Sequence, residues 1–362
     1  MGDLGVAPSF WSGRRVLVTG NTGFKGAWLT LWLLALGAEV IGLSDEVPTE
    51  PALHALVGSE DSIDQFWVDV RDREAVAHAV ASARPEVVFH LAAQPFVRRS
   101  FSEPASTYEV NVMGTVNVLD AIRANPGDTR AVVGVTSDKC YENREWEWPY
   151  RETEPLGGHD PYSSSKGAAE IVIAAYRSSF FSHESGPRVA SARAGNVIGG
   201  GDWGEDRLVP DVMRAAMAGQ PVAIRRPRAV RPWQHVLNPL HGYLLLAESL
   251  CADENHATAY NFGPDTSDVL PVSDVVELLA AAWGESLEIV TDDGDHPHEA
   301  GLLSLDSSRA RARLGWRAQW DLNDGLAATA EWYRAFRDGE PCLDVTLDQI
   351  RHYGAAADAQ AG

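Results

Sequence analysis

The chain has 362 residues, 45% of them hydrophobic, and a formal net charge of −21, which is enough for one large α/β unit with a full core plus a smaller one. So acidic a surface argues against nucleic acid or an anionic membrane as partner, since both need a basic face, and no run approaches the roughly 18 consecutive apolar residues of a membrane span. Cys140, Cys251 and Cys342 are scattered without metal-type spacing and predict a reducing compartment, and the first dozen residues lack the order of a secretory signal, so a cytoplasmic protein is expected.

Arg14 to Gly20 reads as a buried strand entering a glycine loop, and Ala27 to Leu36 as an apolar helix stopped by Gly37. Between them lies Gly20-Asn21-Thr22-Gly23-Phe24-Lys25-Gly26. Glycines three apart at a strand-to-helix turn let the backbone approach a pyrophosphate and aim N–H groups at it. Glu39 to Leu43 is the second strand, with Asp45 just beyond it, where an acid binds a ribose 2′-hydroxyl and favours NAD over NADP. Ser44 and Glu46 are alternatives for that role. A third strand ends at Asp69-Val70, with Asp69 either facing an adenine edge or starting a helix. A fourth, from Val87, ends in Leu91-Ala92-Ala93-Gln94, whose small residues allow a cofactor to approach closely. Asn111 is expected to bridge its helix to the strand that follows. Strand and helix alternate throughout this half, which predicts a doubly wound parallel sheet.

The next stretch is the richest. The apolar run Val132 to Val135 leads into Thr136-Ser137-Asp138-Lys139-Cys140-Tyr141, and Tyr162 and Lys166 follow at i, i+4 spacing. On a helix these two share a face, so the ammonium is expected to lower the phenol's pKa and make it a general base, with Ser137 bonding the same substrate hydroxyl. The long segment Glu142 to Asp160 is expected to form a wall or lid of the site.

Arg188 to Ala194 is a sixth strand, after which glycine and proline increase and the alternation fades. A helix opened by Asp206-Arg207-Leu208-Val209-Pro210 and running to Ala218 and a short strand Val222 to Ile224 precede Arg225, Arg226, Arg228 and Arg231, a candidate diphosphate site because guanidinium grips phosphate oxygens in pairs. A helix opened near Pro239, a strand Tyr260 to Gly263 rejoining the large sheet, and helices Val272 to Trp283, Ser308 to Leu314 and Leu322 to Phe336 complete the chain. Asp295-His296-Pro297-His298-Glu299 has the wrong geometry for a metal site and is expected to make a polar contact near the substrate. The expected division is residues 1–194 plus about 236–263 for dinucleotide binding, 195–235 and 264–353 for substrate, and 354–362 as a loose tail.

These residues together resemble the extended short-chain dehydrogenases/reductases that act on nucleotide sugars. The family pattern is met by Gly20-x-x-Gly23-x-x-Gly26, Ser137 and Tyr162-x-x-x-Lys166. Asp138-Lys139 is similar to the CDP-glucose branch of its 4,6-dehydratases, where the dTDP-glucose branch has glutamate at the second position. Asn21 to Gly26, Asp138 to Asn143, Gly199 to Trp203, Arg231 to Val236 and His298-Glu299-Ala300 match that branch as well. The resemblance implies a tightly held NAD, reduced and reoxidised within one turnover, and CDP-glucose as substrate. Tyr162 would take the proton from the 4-hydroxyl, Lys166 would hold the nicotinamide ribose and the ionised phenol, and Lys139 and Asp138 would be base at C5 and acid at the C6 hydroxyl. It further implies that Thr22, Phe24 and Lys25 flank the cofactor, and that Gln94, Asn196, Arg207, Leu208 and Arg231 contact the nucleotide sugar. It implies a homodimer or a dimer of dimers through the helices carrying Asn111 and Tyr162. A dehydratase for another nucleotide, a 4-epimerase and a non-catalytic dinucleotide sensor are the alternatives. The intact Tyr162 and Lys166 disfavour the sensor, and Asp138-Lys139 disfavours the epimerase.

Overall fold

The computed structural model describes residues 6–182, 186–285, 287–291 and 301–361, with side chains through Ala357. Its frame is a seven-stranded parallel sheet in the order β3-β2-β1-β4-β5-β6-β10. The strands are β1 Arg15–Thr19, β2 Glu39–Ser44, β3 Asp64–Trp67, β4 Val87–His90, β5 Ala131–Val135, β6 Arg188–Ala194 and β10 Ala259–Phe262. Val16, Leu17, Val18, Val87, Val88, Phe89 and Val133 are fully buried, because helices cover both faces of a parallel sheet and its strands must be apolar throughout. The order reverses between β1 and β4, which opens a crevice beyond the carboxyl ends of those strands.

Two small sheets lie beyond that end. One has β7 Asn196–Ile198 beside β9 Val230–His235 and β11 Val269–Pro271, and the other joins β8 Val222–Ile224 to β12 Ile289–Thr291. The helix Leu237–Ala252 returns under the large sheet and delivers the chain to β10, which pairs with β6 through Ala259 and Ser191. The helix Leu322–Arg337 packs against both β7 and β9. One core, including Trp28, Trp32, Trp316 and Trp332, joins one face of the large sheet to β7 through β9 and the helices Leu237–Ala252 and Leu322–Arg337, and a second, including Leu17, Ile41, Val88, Val132 and Val189, lies on the sheet's other face.

Three expectations are corrected here. Residues 354–361 are not a loose tail but the end of the helix Cys342–Ala361; alanine is the best helix former, and the buried Tyr353 anchors the helix with its ring edge-on to Trp32 and Trp320. The segment 142–160 forms no part of the cleft wall. It folds away from the cleft instead, with Tyr150 stacked between Tyr141 and Trp146 over Leu303 and Leu305. Finally, Asn111 does not bridge to β5. Its side chain accepts from the Gln94 amide at 2.8 Å and donates to the Ser165 hydroxyl at 2.8 Å, tying the loop after β4 to the helix Pro161–Phe180.

Candidate active site

The crevice at the sheet's carboxyl end is a cleft of about 980 Å³, and both chemically loaded clusters open into it. Ser137, two residues past the end of β5, is in extended conformation and begins a 3-10 turn, Asp138–Cys140, by accepting from the Lys139 amide. Its hydroxyl donates to Asp138 Oδ1 at 2.9 Å. Asp138 is 3% exposed; burial pushes its carboxyl above the ordinary range, against the pull of Lys139 and Ser137. Tyr162 and Lys166 stand in the first turns of the helix Pro161–Phe180, whose N-terminus Asp160 caps by accepting from the Ser163 amide at 2.8 Å.

The electrostatics differ from the simple picture of a lysine ionising a phenol. Burial pushes the Tyr162 phenol up to about 12, with the Ser137 hydrogen bond and the Arg207 guanidinium opposing it. Burial pushes the Lys166 ammonium down to about 8. Desolvation therefore drives both groups toward their neutral forms, and the expected lowering of the phenol is corrected.

The glycine loop forms the opposite wall. Gly20, at φ +73°, lies so close to the β4 loop that an added Cβ would stand 2.7 Å from the Ala92 nitrogen. A Cβ on Gly26 would be 2.0 Å from the Gly20 carbonyl oxygen, whereas one on Gly23 would meet only that oxygen, at 3.4 Å. Gly23 is also the N-cap of the helix Phe24–Ala35, and no side chain caps it. An open glycine face at an uncapped helix N-terminus fits a pyrophosphate. Thr22, Phe24 and Lys25 line the same wall, with burial lowering the Lys25 ammonium to about 8. Of the three candidates after β2, Ser44 is committed to the loop, donating to Asn21 Oδ1 at 2.9 Å, while Asp45 and Glu46 both face the cleft. Val70, Leu91, Ala92 and Ala93 line it too. Asp69 does not, because its carboxylate is held by Arg71 at 2.6 Å.

At the outer end the cleft reaches Gln94, Asn196, Arg207, Leu208 and Arg231. The Gln94 amide is committed to the protein, donating to Thr107 at 2.9 Å and accepting from the Phe96 amide at 2.5 Å. Arg207 pairs with Asp202 at 2.9 Å and lies over the Phe96 ring. Arg225, Arg226 and Arg231 all reach the cleft and Arg228 does not. The basic run has an acidic counterpart after all, supplied by another segment: Asp206 binds Arg225 at 2.7 Å and Arg98 at 3.2 Å. Residues 295–300, including the His298-Glu299-Ala300 match, lie outside the described residues. Sequence reasoning missed Arg98 and the wall residues Pro48, Thr49, Glu50 and Leu53; the two prolines bracketing that loop were the only signal for it.

Residues 17–329 match the GDP-mannose 4,6 dehydratase family. The chain belongs to that family. A CDP-glucose 4,6-dehydratase from Salmonella typhimurium is 46% identical over 356 residues, covering 97% of this chain and 99% of that protein. Among solved structures, a dTDP-glucose 4,6-dehydratase from Streptomyces venezuelae with NAD bound has a TM-score of 0.76 at 26% identity, covering 91% of this chain and 99% of the other. A UDP-glucose 4-epimerase from Thermus thermophilus, in complex with NAD, has a TM-score of 0.74 at 27% identity over 88% of this chain and 99% of its own. This chain thus shares its fold with a nucleotide-sugar dehydratase and with a nucleotide-sugar epimerase.

Proposed function

We propose that this enzyme is an NAD-dependent CDP-glucose 4,6-dehydratase, converting CDP-D-glucose to CDP-4-dehydro-6-deoxy-D-glucose and water. The observation that carries the reading is the buried Asp138 with Lys139 beside it, in the cleft that also holds Ser137, Tyr162 and Lys166. A 4-epimerase has no need of this second acid–base pair, whereas an elimination across C5 and C6 does. The full-length similarity to the Salmonella enzyme supports cytidine as the base.

NAD, when bound, supplies a two-electron acceptor that takes hydride from C4 and returns it to C6. Gly20, Gly23 and Gly26 with the N-terminus of the helix Phe24–Ala35 hold its pyrophosphate, Asp45 a ribose, and Val70, Leu91, Ala92 and Ala93 pack against it. Tyr162 takes the proton from the sugar's 4-hydroxyl once it is itself ionised, against the burial that favours its neutral form, with Ser137 orienting that hydroxyl and Lys166, when charged, stabilising the phenolate and bonding the nicotinamide ribose. The 4-ketone acidifies the C5 hydrogen, Lys139 removes it, and Asp138 delivers a proton to the C6 hydroxyl, which leaves as water; protonated Lys139 then returns a proton to C5 as C6 is reduced to the methyl group. Burial keeps the Asp138 carboxyl protonated further up the pH scale, as a donor requires. Asn196, Arg207, Leu208 and Arg231 receive the nucleotide diphosphate. The working form is a homodimer in the cytoplasm. Among the described residues no helix is long and apolar enough to cross a membrane.

The test is incubation with NAD and, separately, CDP-, dTDP-, UDP- and GDP-linked glucose, with products followed by proton NMR. A new methyl doublet and loss of H4 with CDP-glucose alone are expected. The same signals with another nucleotide would overturn the base assignment, and inversion at C4 without a methyl signal would overturn the dehydratase.

A further inference from the structure

The helix that carries Tyr162 and Lys166 bears a third charged group one turn further on, and that group does not open into the cleft. Glu170 is 2% exposed and lies under the sheet end. Its Oε1 accepts from the Thr136 hydroxyl at 2.5 Å, and its Oε2 accepts from Ser191 at 2.8 Å and from Arg193 Nη2 at 2.6 Å. Arg193, itself 3% exposed, donates through Nη1 to the Tyr141 hydroxyl at 2.7 Å, which donates onward to Asn261 Oδ1 at 2.7 Å. Burial raises the Glu170 carboxyl, but Arg193 and the hydroxyl donors outweigh it and leave it below the usual range, so the pair is ionised.

Thr136 immediately precedes Ser137, and Tyr141 follows Lys139 by two residues. One carboxylate on the Tyr162 helix therefore grips both ends of the segment that carries Ser137, Asp138 and Lys139, directly at one end and through Arg193 at the other. Stability alone does not account for such a pair, because the desolvation of two buried charges largely offsets their attraction, and apolar residues of equal volume commonly serve as well. What the pair provides is a fixed distance between two catalytic segments that come from different elements.

We propose that Glu170 and Arg193 are positioning residues that lock the Ser137-Asp138-Lys139 turn against Tyr162 and Lys166, so that the base for O4 and the acid–base pair for C5 and C6 address one sugar ring without its release. This rests on the dehydratase reading. A reaction that uses both clusters in succession on one bound substrate is sensitive to their relative placement, since a displacement of about 1 Å can cost on the order of 100-fold in rate.

The test uses the full-length enzyme with NAD and the double variant Glu170→Gln/Arg193→Met, which removes both charges and strands neither. Tyr141→Phe accompanies it, cutting the link at one end while keeping the ring stacked on Tyr150. For the double variant kcat is expected to fall about 100-fold with KM for CDP-glucose within about threefold of the parent, and for Tyr141→Phe kcat should fall about tenfold. The kinetic isotope effect with CDP-glucose deuterated at C4 should rise, a change that a smaller folded fraction would not produce. Independently of turnover, amide hydrogen exchange at 137–141 should quicken at least about tenfold while β1 and β4 keep their protection. Parental kcat and isotope effect, or a loss of kcat matched by loss of folded enzyme, would overturn the proposal, as would unchanged exchange at 137–141. If the double variant does not fold, Tyr141→Phe alone decides the question by the same readouts. A parent inert toward CDP-glucose would instead sink the dehydratase reading, and the exchange measurement would still decide the clamp.

Discussion

Asp138 and Lys139 are neighbours in the chain with unlike surroundings. Asp138 lines the cleft almost fully buried, with its carboxylate beside Ser137, while Lys139 is only partly covered. A carboxyl that burial raises is a better proton donor, and the proposed roles, Asp138 as acid at C6 and Lys139 as base at C5, rest on that contrast. We predict that Lys139→Ala retains NAD binding, loses roughly 10²–10⁴-fold in kcat as expected for removal of a general base, and no longer incorporates solvent deuterium at C5. Deuterium entering at the parental rate would reassign the base. The placement of Tyr162 and Lys166 on one helix, and of Ser137 just after the β5 run, was legible in the sequence. The Glu170–Arg193 pair was not read, although Arg193 inside the small-residue strand Ala190-Ser191-Ala192-Arg193-Ala194 was the available signal: a cation in a buried strand requires an anion, and the sequence does not say from which helix it comes.

The glycine loop offers a contrast between two positions three residues apart. Gly26 is where helix and strand touch, so a methyl there meets the Gly20 carbonyl at 2.0 Å, while at Gly23 the methyl points into the open cleft with its nearest neighbour at 3.4 Å. Gly26→Ala should therefore cost about 1–3 kcal/mol of stability, as overpacking does, read as a lowered Tm. Gly23→Ala should leave Tm unchanged and weaken NAD binding by roughly tenfold, about 1.4 kcal/mol, by calorimetric titration. Parental NAD affinity in Gly23→Ala would remove the pyrophosphate from this loop. Strands such as β1 and β4 were readable because buried parallel strands are apolar runs between turn residues, and β6, β8 and the helix Val272–Trp283 also fall within their expected bounds. The 142–160 segment misled because its length and aromatic content mark a functional loop and a packed one equally. Only the three-dimensional partners Leu303 and Leu305 distinguish the two.

At the scale of the whole molecule, the strongly acidic chain leaves several large apolar side chains in water. Phe101, Tyr108, Met113 and Ile171 are 49%, 40%, 50% and 59% exposed, and they belong to helices that pack alongside one another on the side of the sheet that carries Tyr162. Exposed apolar groups gathered on neighbouring elements mark an association surface more often than a free one, and a two-fold interface would place each of them against the same set from a second copy. Ile171 lies one residue beyond Glu170, on the outer face of the same helix, so pairing through it would also stiffen the helix that holds the phenol. We expect the parent to sediment at twice the chain mass and Ile171→Asp at the chain mass, since a carboxylate desolvated opposite its own symmetry mate is opposed both by burial and by like charge. If the monomeric variant also loses kcat while keeping its Tm, the interface supports the catalytic helix. A parent that sediments as a monomer, or an Ile171→Asp variant that remains dimeric, would remove this face from the assembly.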